Sequence, residues 1–470
     1  MILIPGVKKK NIGVYGLGVS GIATCEALAA SGAAVFSFDE KAIAREKTTN
    51  TEYRCEHPKK WPWKDMAAVV VSPGVPLTHP KPHAIVRKAA MEKIPVVGDT
   101  ELFAWAVNAL PEEERPQIVG ITGTNGKSTT TALIGHILKE AGREVHIGGN
   151  IGEAVLSMPP LEKDGVYVLE LSSFQLDLTK TLRLNAAVFL NVTPDHIERH
   201  GGIDGYIRAK KRIFLNQTAG DIAVIGVDDD FTQGICTEIT ASGPATAVPV
   251  SVQGALGRGV YELDNKLFYN FDGKTSFAGE LSAARALRGA HNHQNLAAAL
   301  AVCAHLGLSP AVVIKTAERF SGLPHRMEEV SRIGKVSFVN DSKATNAEAT
   351  ARALSVGEDI FWIAGGKPKD GGVTALREKM DHVRSVYLIG EAAVLFEEQL
   401  RGVAHCVLCG DLATAVAKAG EDAAKSDASA PMVLFSPACA SFDQFPNFEI
   451  RGEAFRTLVS NLPAENGEAA

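Results

Sequence analysis

Residues 120–130, with the sequence GITGTNGKSTT, constrain the fold of this 470-residue chain more than any other segment. A short apolar run, residues 117–119, precedes them, and the helix-like sequence TALIGHILKEAG follows them. Glycines allow the backbone to approach phosphate oxygens, and the N-terminus of a helix supplies N–H groups and positive potential. The segment therefore predicts a strand, a phosphate-binding loop and a helix, in an α/β domain that binds ATP or GTP.

Two side chains of this loop have specific expected roles. Lys127 would reach the terminal phosphates, and the Ser128 hydroxyl would hold Mg²⁺. The strict pattern G-x-x-x-x-G-K-S is not met, because Ile121 stands at its first glycine position and Gly120 lies one residue early. The alternative is a plain glycine-rich turn with a chance Lys-Ser, which leaves the flanking strand and helix unexplained.

The composition is that of an ordinary soluble globular protein, with 46% hydrophobic and 22% charged residues. The length is sufficient for roughly two to four domains, each with its own core. The formal net charge of −6 argues against a general nucleic-acid-binding protein, which usually presents a basic face. We therefore expect phosphates to be held by local loops and not by the overall field of the molecule.

Cysteine usage and apolar runs indicate the compartment. The seven cysteines are scattered and odd in number, so they do not indicate a disulfide framework. Cys406 and Cys409 form a lone C-x-x-C, which we interpret as two small apolar residues around a strand. No apolar run reaches the ~18 residues needed to span a bilayer, and the apolar patch in MILIPGVKKK is too short for a signal peptide. We expect a cytoplasmic protein with neither a membrane nor a nucleic acid as its partner.

Strand and helix patterns alternate along most of the chain, which predicts an α/β fold with largely parallel sheets. A polar segment with two prolines, at residues 106–116, and the segment SGLP, at residues 321–324, have the composition of linkers. We predict three domains: a Rossmann-like domain at 1–105, a central P-loop ATPase-like domain with a mostly parallel sheet at 106–322, and a Rossmann-like α/β domain at 323–470.

A second glycine-rich turn lies near the N-terminus. GLGVSG, residues 16–21, stands between a predicted strand and a predicted helix, and Asp39 ends the next strand. The glycines and the acid match the dinucleotide fingerprint, which favours an NAD-dependent oxidoreductase. Two alternatives remain open: a tight turn without a ligand, and a turn that holds the diphosphate of another nucleotide, such as a UDP-sugar.

Polar residues also follow the predicted strands of the middle region. Glu170 ends a strand beside that of the phosphate loop, where an acid could bind Mg²⁺ or orient water. Asp195, His196 and His200 lie on the loop after another buried strand, where a metal or phosphate role competes with a structural one. From spacing alone, Lys210 is only a lysine on a helix face.

Three segments in the last third carry polar residues at the predicted carboxyl ends of strands, where open α/β sheets bind ligands. Cys439 has no identifiable activating base, so we interpret it as a packed cysteine and not as a nucleophile. The three segments are GLPHRMEEV with His325 and Arg326, FVNDSKATN with Asp341, Lys343, Thr345 and Asn346, and SPACASFDQFPNFEIRG at residues 436–452.

These motifs, taken in order, resemble those of the Mur ligases, the ATP-dependent amino-acid ligases of peptidoglycan precursor synthesis. The resemblance covers nearly the whole chain. Three segments, namely the N-terminal turn, ELSSFQL and the C-terminal motif, most resemble the family member that adds D-glutamate. The motifs are TGTNGKST, GGNIG, ELSSFQL, NVTPDH, the lysine of RAK, HNHQN, GLPHR, NDSKATN and SPACASFDQFPNFE.

The resemblance implies a reaction and its substrates. The γ-phosphate of ATP would pass to the carboxylate of UDP-N-acetylmuramoyl-L-alanine, and the amine of D-glutamate would attack the resulting acyl phosphate. Two anions must meet in this step, so cations must screen them, and the family uses Mg²⁺ for this purpose. A monomeric enzyme is expected.

The resemblance also assigns roles to individual residues. Lys210 matches a lysine that the family carries as a carbamate, which turns a cation into a carboxylate-like metal ligand. The implied catalytic residues are Lys127, Asn150, Glu170, His196 and Lys210. The implied ATP contacts are Gly123, Thr124, Asn125, Gly126, Lys127, Ser128, Thr129, Asn292, Arg326 and Asp341, and the implied Mg²⁺ site is Ser128, Glu170, His196 and Lys210. The implied contacts to the UDP substrate are Gly18, Val19, Ser20, Asp39, Ser72, Pro73, Gly74 and Asn150, and those to D-glutamate are Thr345, Lys369, Ser441, Phe442 and Phe448.

One position and three competing functions stay open. The family places a lysine for the D-glutamate carboxylate after a glycine pair, and GGKPKD offers Lys367 and Lys369, of which ungapped spacing favours Lys369. The alternatives to a D-glutamate ligase are a Mur ligase for another amino acid, an NAD-dependent oxidoreductase with an accessory nucleotide domain, and a regulatory nucleotide-binding protein without catalysis.

Overall fold

The computed structural model describes residues 1–46, 53–287, 289–369 and 371–463. The chain divides into two compact units, residues 1–320 and 321–470. Both units contain helices packed on mostly parallel sheets, so the expected α/β class is confirmed. None of the helices within the described ranges is both long and apolar enough to span a membrane.

The first sheet has the strand order β3-β2-β1-β4-β5, and its pairings are parallel. This is the order of a Rossmann-like half, in which the glycine-rich turn follows the central strand β1. Its elements are β1 Asn11–Tyr15, α1 Val19–Ala30, β2 Ala34–Phe38, α2 Ala42–Glu46, β3 Arg54–Cys55, β4 Met66–Val71, α3 Ala84–Met91, β5 Val96–Val97 and α4 Asp99–Asn108.

The second sheet has the order β14-β13-β12-β11-β10-β9-β6-β8-β7, parallel from β7 to β12 and antiparallel through β13 and β14. Its elements are β6 Gln117–Thr122, α5 Lys127–Glu140, β7 Val145–Gly149, β8 Val166–Glu170, α6 Ser173–Asp177, β9 Ala186–Phe189, α7 Ile197–His200, α8 Ile203–Lys211, β10 Ile222–Gly226, α9 Asp230–Ser242, β11 Thr246–Ser251, β12 Gly259–Leu263, β13 Lys266–Asn270, β14 Ser276–Glu280, α10 Ala290–His305 and α11 Pro310–Ala317.

The third sheet, in the second unit, has the order β15-β16-β20-β17-β18-β19 and is parallel except at β15. Cys406 and Cys409 both lie in β19 as free, half-buried thiols, in agreement with their interpretation as strand residues. The elements are β15 Glu328–Ile333, β16 Val336–Asn340, α12 Ala347–Ala353, β17 Ile360–Gly365, β18 Val383–Ile389, α13 Ala393–Leu400, β19 Cys406–Gly410, α14 Leu412–Lys425, β20 Met432–Phe435 and α15 Phe448–Ser460.

The first predicted linker begins later than expected. Helix α4 continues to Asn108, and Ala106 and Val107 are buried in its apolar face, so the polar segment starts after this helix. The domain boundaries themselves stay a prediction.

A buried carboxylate connects α4 to the central region of the same unit. Glu101 Oε2 accepts the backbone N–H groups of Lys180 (2.5 Å) and Thr181 (2.9 Å). Its Oε1 accepts the Thr181 hydroxyl (2.8 Å) and the Trp105 indole N–H (3.1 Å). Hydrogen bonds to a charged group are stronger than those between neutral groups, so this buried carboxylate holds the loop after α6 against α4.

We expect Glu101→Ala to destabilise the first unit by roughly 1–3 kcal/mol, because the hydrogen bonds that join the buried carboxylate to the Lys180–Thr181 segment would be lost. The measurement is the midpoint of the first unfolding transition in urea, with Glu113→Ala, at an exposed acid beyond the same helix, as the control. An unchanged midpoint in Glu101→Ala would show that water replaces the carboxylate at no cost.

Candidate active site

The phosphate loop lies between β6 and α5 at the carboxyl edge of the central sheet. Gly123 and Gly126 have φ angles of 151° and 83°, which side chains other than glycine adopt only with strain. A Cβ atom at Gly126 would also lie 2.4 Å from Asn295 Oδ1 of α10. The backbone N–H groups of Thr124 and Asn125 donate to Asn191 O and Oδ1, both at 2.9 Å. The loop is therefore fixed from two sides, by α10 and by the end of β9.

Helix α5 begins at Lys127, as the predicted phosphate loop requires. The Lys127 ammonium folds back over the loop and donates to the carbonyl oxygens of Gly123 (2.9 Å) and Thr124 (2.8 Å). Ser128 is buried in the first turn, and Thr129 is half-buried beside it. The positive end of a 14-residue helix and a lysine thus meet at one concave backbone, an arrangement that binds phosphate groups.

Glu170 ends β8, in register with Ile121 of β6 and Gly149 of β7. Its side chain is buried, and its Oε1 accepts the amide of Asn150 at 2.7 Å. Its Oε2 is equally buried but has no hydrogen-bond donor among the described residues. Such an oxygen can be satisfied by water or by a cation, and hard divalent cations prefer carboxylate oxygens.

Lys210 lies in α8 with its side chain almost completely buried. Its amine donates to Gly123 O (2.7 Å) and more weakly to Thr122 Oγ1 (3.4 Å), and it lies 4.7 Å from the ring centre of Tyr206. Burial, and secondly the charge of Lys127, lower the pKa of Lys210 to about 6, whereas Asp195 and Glu170 act in the opposite direction. The amine of Lys210 is therefore largely neutral at pH 7.

Both lysines donate to the same carbonyl oxygen, that of Gly123. Spacing indicated only a helix-face lysine at position 210, and α8 turns this residue inward to the phosphate loop. The Gly123 carbonyl thus brings the Lys127 ammonium and the Lys210 amine together at the phosphate loop.

The histidines of the loop after β9 have different environments. His196, in a left-handed conformation with φ of 51°, is half-exposed, 3.5 Å from Asp195 Oδ2 and 5.0 Å from the ring centre of Phe174. His200 is buried against Ser173, with 3.0 Å between Nε2 and Oγ, and burial lowers its pKa. His196 is accessible to a ligand, whereas His200 belongs to the packing.

The second glycine-rich turn is held by the predicted acid. The N–H of Leu17 donates to Asp39 Oδ2 (2.7 Å) and that of Lys41 to Asp39 Oδ1 (2.8 Å). A Cβ atom at Gly21 would lie 1.9 Å from Gly16 O, so α1 approaches β1 closely. At Gly18 such an atom would meet nothing within 4 Å, and the turn is open there.

The neighbouring residues complete an open cradle. Val19 is exposed and Ser20 is half-buried at the start of α1. The Ser72 hydroxyl donates to Gly16 O at 3.2 Å, which brings the segment Ser72, Pro73 and Gly74, after β4, against the turn. The structure therefore brings all these predicted UDP-substrate residues together at one edge of the first sheet.

Arg199 was not singled out from the sequence. Its Nη2 donates to Val75 O at 2.7 Å, and its guanidinium lies 5.2 Å from the ring centre of Phe174. This contact joins the segment after Gly74 to the helix that follows His196. Its sequence signal, an arginine in a polar loop, does not distinguish it from a solvated residue.

In the second unit, Asp341 is buried after β16, where its Oδ1 accepts the N–H of Met327 (3.2 Å) and its Oδ2 the hydroxyl of Ser436 (2.8 Å). Burial raises the pKa of Asp341 to about 7. The charge of the predicted neighbour Arg326 lowers the pKa of that carboxylate and so opposes the effect of burial.

Asn292, in the first unit, lies in the first turn of α10, and its Oδ1 accepts a hydrogen bond from the Asn295 side-chain amide at 3.1 Å.

The predicted D-glutamate residues follow β16, β17 and β20 in this unit. Ser441 is buried, Phe442 is exposed, and Phe448 begins α15 with the Lys343 ammonium 5.3 Å from its ring centre. Thr345 follows β16, two residues after Lys343, and its backbone N–H donates to the carbonyl oxygen of Lys343.

The two candidate lysines differ in their surroundings. Lys367 pairs its backbone with Ala440, through hydrogen bonds of 2.9 and 3.2 Å. Lys369 is exposed, and its charge partly offsets the rise in the pKa of Cys439, which burial raises to about 12. The choice between Lys367 and Lys369 stays a prediction.

Comparison with known proteins also identifies similarity to Mur ligases. Residues 121–303 match the family model of the Mur ligase middle domain. The chain is 51% identical over 470 residues, the whole of both chains, to UDP-N-acetylmuramoylalanine–D-glutamate ligase of Caulobacter vibrioides strain NA1000 / CB15N. It is 44% identical over 464 residues, 98% of both chains, to the protein of the same name of Brucella abortus strain 2308.

Solved structures show the same fold at low sequence identity. MurF from Acinetobacter baumannii superposes with a TM-score of 0.59 at 17% identity, over 91% of each chain. UDP-N-acetylmuramate-alanine ligase MurC from Thermotoga maritima superposes with a TM-score of 0.57 at 18% identity, over 96% of this chain and 99% of the other. By its full-length similarity to named relatives, this chain belongs to the UDP-N-acetylmuramoylalanine–D-glutamate ligase family of the Mur ligases.

Proposed function

We propose that this protein joins D-glutamate to UDP-N-acetylmuramoyl-L-alanine at the expense of ATP, through an acyl phosphate. The observation that carries the proposal is the phosphate loop, where the Lys127 ammonium lies on the carbonyl oxygens of Gly123 and Thr124, with the buried carboxylate of Glu170 on the neighbouring strand. Such a site can hold the ATP phosphates and the cation that screens two reacting anions. The 44–51% identical relatives bear the name of this activity.

Each residue contributes one part of the chemistry. The loop N–H groups and Lys127 hold the ATP phosphates and neutralise the charge that develops on the transferred group. A carboxylate oxygen of the UDP substrate attacks the γ-phosphorus and ADP leaves. The amine of D-glutamate then attacks the acyl carbon, and phosphate leaves as the amine loses a proton. Asn150, whose amide donates to Glu170, would orient the reacting carboxylate.

The site is suited to Mg²⁺, because Glu170 Oε2 is a buried oxygen without a donor. Ser128, Glu170, His196 and carbamylated Lys210 would hold the ion. When bound, it would supply positive charge to the phosphate oxygens. No group of three or more His, Cys, Asp or Glu side chains in the described residues forms a metal site. A carbamate on Lys210 would supply a further anionic oxygen ligand.

The neutral amine of Lys210 suits it for carbamylation. CO₂ adds to an unprotonated amine, a C–N bond forms, and one proton is released. Because the pKa of Lys210 is lowered to about 6, the reactive form dominates at pH 7 and above. We further expect a monomeric cytoplasmic enzyme.

The proposal predicts phosphate release from ATP that requires both UDP-N-acetylmuramoyl-L-alanine and D-glutamate. The assay compares D-glutamate with L-glutamate and with other D- and L-amino acids. Release that depends on another amino acid would assign the chain to a different specificity. NAD⁺ reduction without phosphate release would replace the ligase by the oxidoreductase.

Glu170→Gln should lower the turnover by about 100-fold or more, because a neutral amide is a poor ligand for the cation that screens the two anions. Titration of Mg²⁺ should show a raised half-saturation concentration in this variant. Glu162→Gln, at an exposed acid before the same strand, is the matched control. Wild-type Mg²⁺ dependence in Glu170→Gln would exclude the residue from the metal site.

Lys210→Ala should lose most activity and regain part of it with bicarbonate or short carboxylic acids, which replace the missing carbamate. Lys211→Ala removes the adjacent lysine, which pairs with Glu238 on the surface, and should keep its activity. Unchanged turnover in Lys210→Ala would remove the carbamate role.

The carbamate itself should be detectable by ¹³C NMR of the enzyme in ¹³C-labelled bicarbonate. We expect a carbamate resonance at pH 8 that is absent from Lys210→Ala. Below pH 6 the free amine becomes protonated and the resonance should fade. A spectrum identical to that of Lys210→Ala at pH 8 would contradict the assignment.

A further inference from the structure

Arg451, within α15, is the largest buried cationic side chain among the described residues of the second unit, at 1% exposure. Its Nη2 donates to the carbonyl oxygens of Ser342 (2.7 Å) and Cys439 (3.1 Å). Its Nε donates to the Ser342 hydroxyl at 3.0 Å. Nη1 is also buried and has no acceptor among the described residues. The hydrogen bonds of Nε and Nη2 thus go to neutral oxygens of two chain segments.

Those segments are the ones that lead to the predicted D-glutamate residues. Ser342 precedes Thr345 by three residues, and Cys439 precedes Ser441 by two. The Ser342 hydroxyl that accepts from Arg451 donates in turn to Phe448 O at 2.8 Å, at the start of α15. One guanidinium therefore fixes three of the pocket segments relative to one another.

The fourth segment, which carries Lys369, packs against the same group. A Cβ atom at Gly366 would lie 3.2 Å from Arg451 Nη1 and 2.5 Å from Ala440 O, so this glycine is required for the close approach. The next residue, Lys367, pairs its backbone with Ala440. The turn that presents Lys369 is therefore set by contacts with Arg451 and with the Cys439 segment.

A guanidinium in this place is costly for the fold. Burial of a charged group disfavours the charged form, and desolvation lowers the pKa of Arg451 to about 10. None of its hydrogen bonds goes to a carboxylate. Apolar side chains of similar volume often stabilise a fold more than a buried charge does. What the guanidinium provides is a rigid fork of donors that sets the spacing of several carbonyl groups.

We propose that Arg451 is the positioning residue of the amino-acid pocket, which holds the segments of Thr345, Lys369, Ser441 and Phe448 in the geometry that binds the two carboxylates of the amino-acid substrate. This inference rests on the proposed ligase function. Arg451 does not touch the substrate and acts through the carbonyl and hydroxyl groups of Ser342 and Cys439.

The test compares Arg451→Lys and Arg451→Ala with the wild type in phosphate-release kinetics, with each of the three substrates varied in turn. We expect the KM for D-glutamate to rise about tenfold or more, since small misplacements in a site are costly, while the KM for ATP and that for the UDP substrate stay within about twofold. Guanidinium ion, at a concentration that does not unfold the wild type, should partly restore the D-glutamate KM of Arg451→Ala and not that of Arg451→Lys.

Arg456→Ala is the matched control, on the same helix. Arg456 pairs with Glu328 and Glu453 at a half-exposed position, and its loss should leave the D-glutamate KM unchanged. Circular dichroism and thermal melting establish that each variant is folded.

Three results would overturn the positioning role. They are equal rises of all three KM values, a loss of kcat at unchanged D-glutamate KM, and failure of both variants to fold, which would make Arg451 a support of the whole unit. The wild-type assay distinguishes these results from a failure of the ligase assignment. If that assignment were wrong, the wild-type enzyme would release no phosphate that depends on D-glutamate.

Discussion

Parallel backbone pairing around β6 is the constraint on which the active site depends. The register joins Thr122 to Phe189 and Ile121 to Glu170, and Glu170 in turn to Gly149. Four strands thus end at one level, and the chain that follows each strand supplies a different chemical group. Hydrogen bonds fix this register along each strand. A shift by one residue would turn Glu170 to the opposite face of the sheet, away from the phosphate loop.

The electrostatics of that edge follow from burial. Two amines converge on one carbonyl oxygen, and a carboxylate oxygen without a donor lies on the neighbouring strand. In water the interactions between these groups would be screened. In a low-dielectric environment they shift the pKa values of the groups and favour the binding of ions. A site poised in this way is well suited to phosphoryl transfer, in which catalysis consists mainly of positioning and charge stabilisation.

In the second unit, the predicted site residues are held in place by a buried side chain and not by strand register. Its predicted amino-acid pocket is assembled from loops after separate strands, and loops lack the mutual hydrogen bonds that hold strands in register. A buried guanidinium bonded to neutral oxygens supplies fixed distances between these loops. Glu101 has a comparable function in the first unit, where one carboxylate collects backbone N–H groups from a distant loop.

The amino-acid sequence by itself determined the local structures. Glycine spacing and apolar runs predicted the two glycine-rich turns between strand and helix and the α/β class, because these features depend on neighbouring residues. The resemblance of ordered motifs supplied the family. The inward direction of Lys210, the oxygen of Glu170 without a donor among the described residues, and the burial and contacts of Arg451 were decided only by the tertiary structure. Each depends on contacts between residues distant in the chain, such as Lys210 with Gly123 and Arg451 with Ser342, and on burial, which no local pattern specifies.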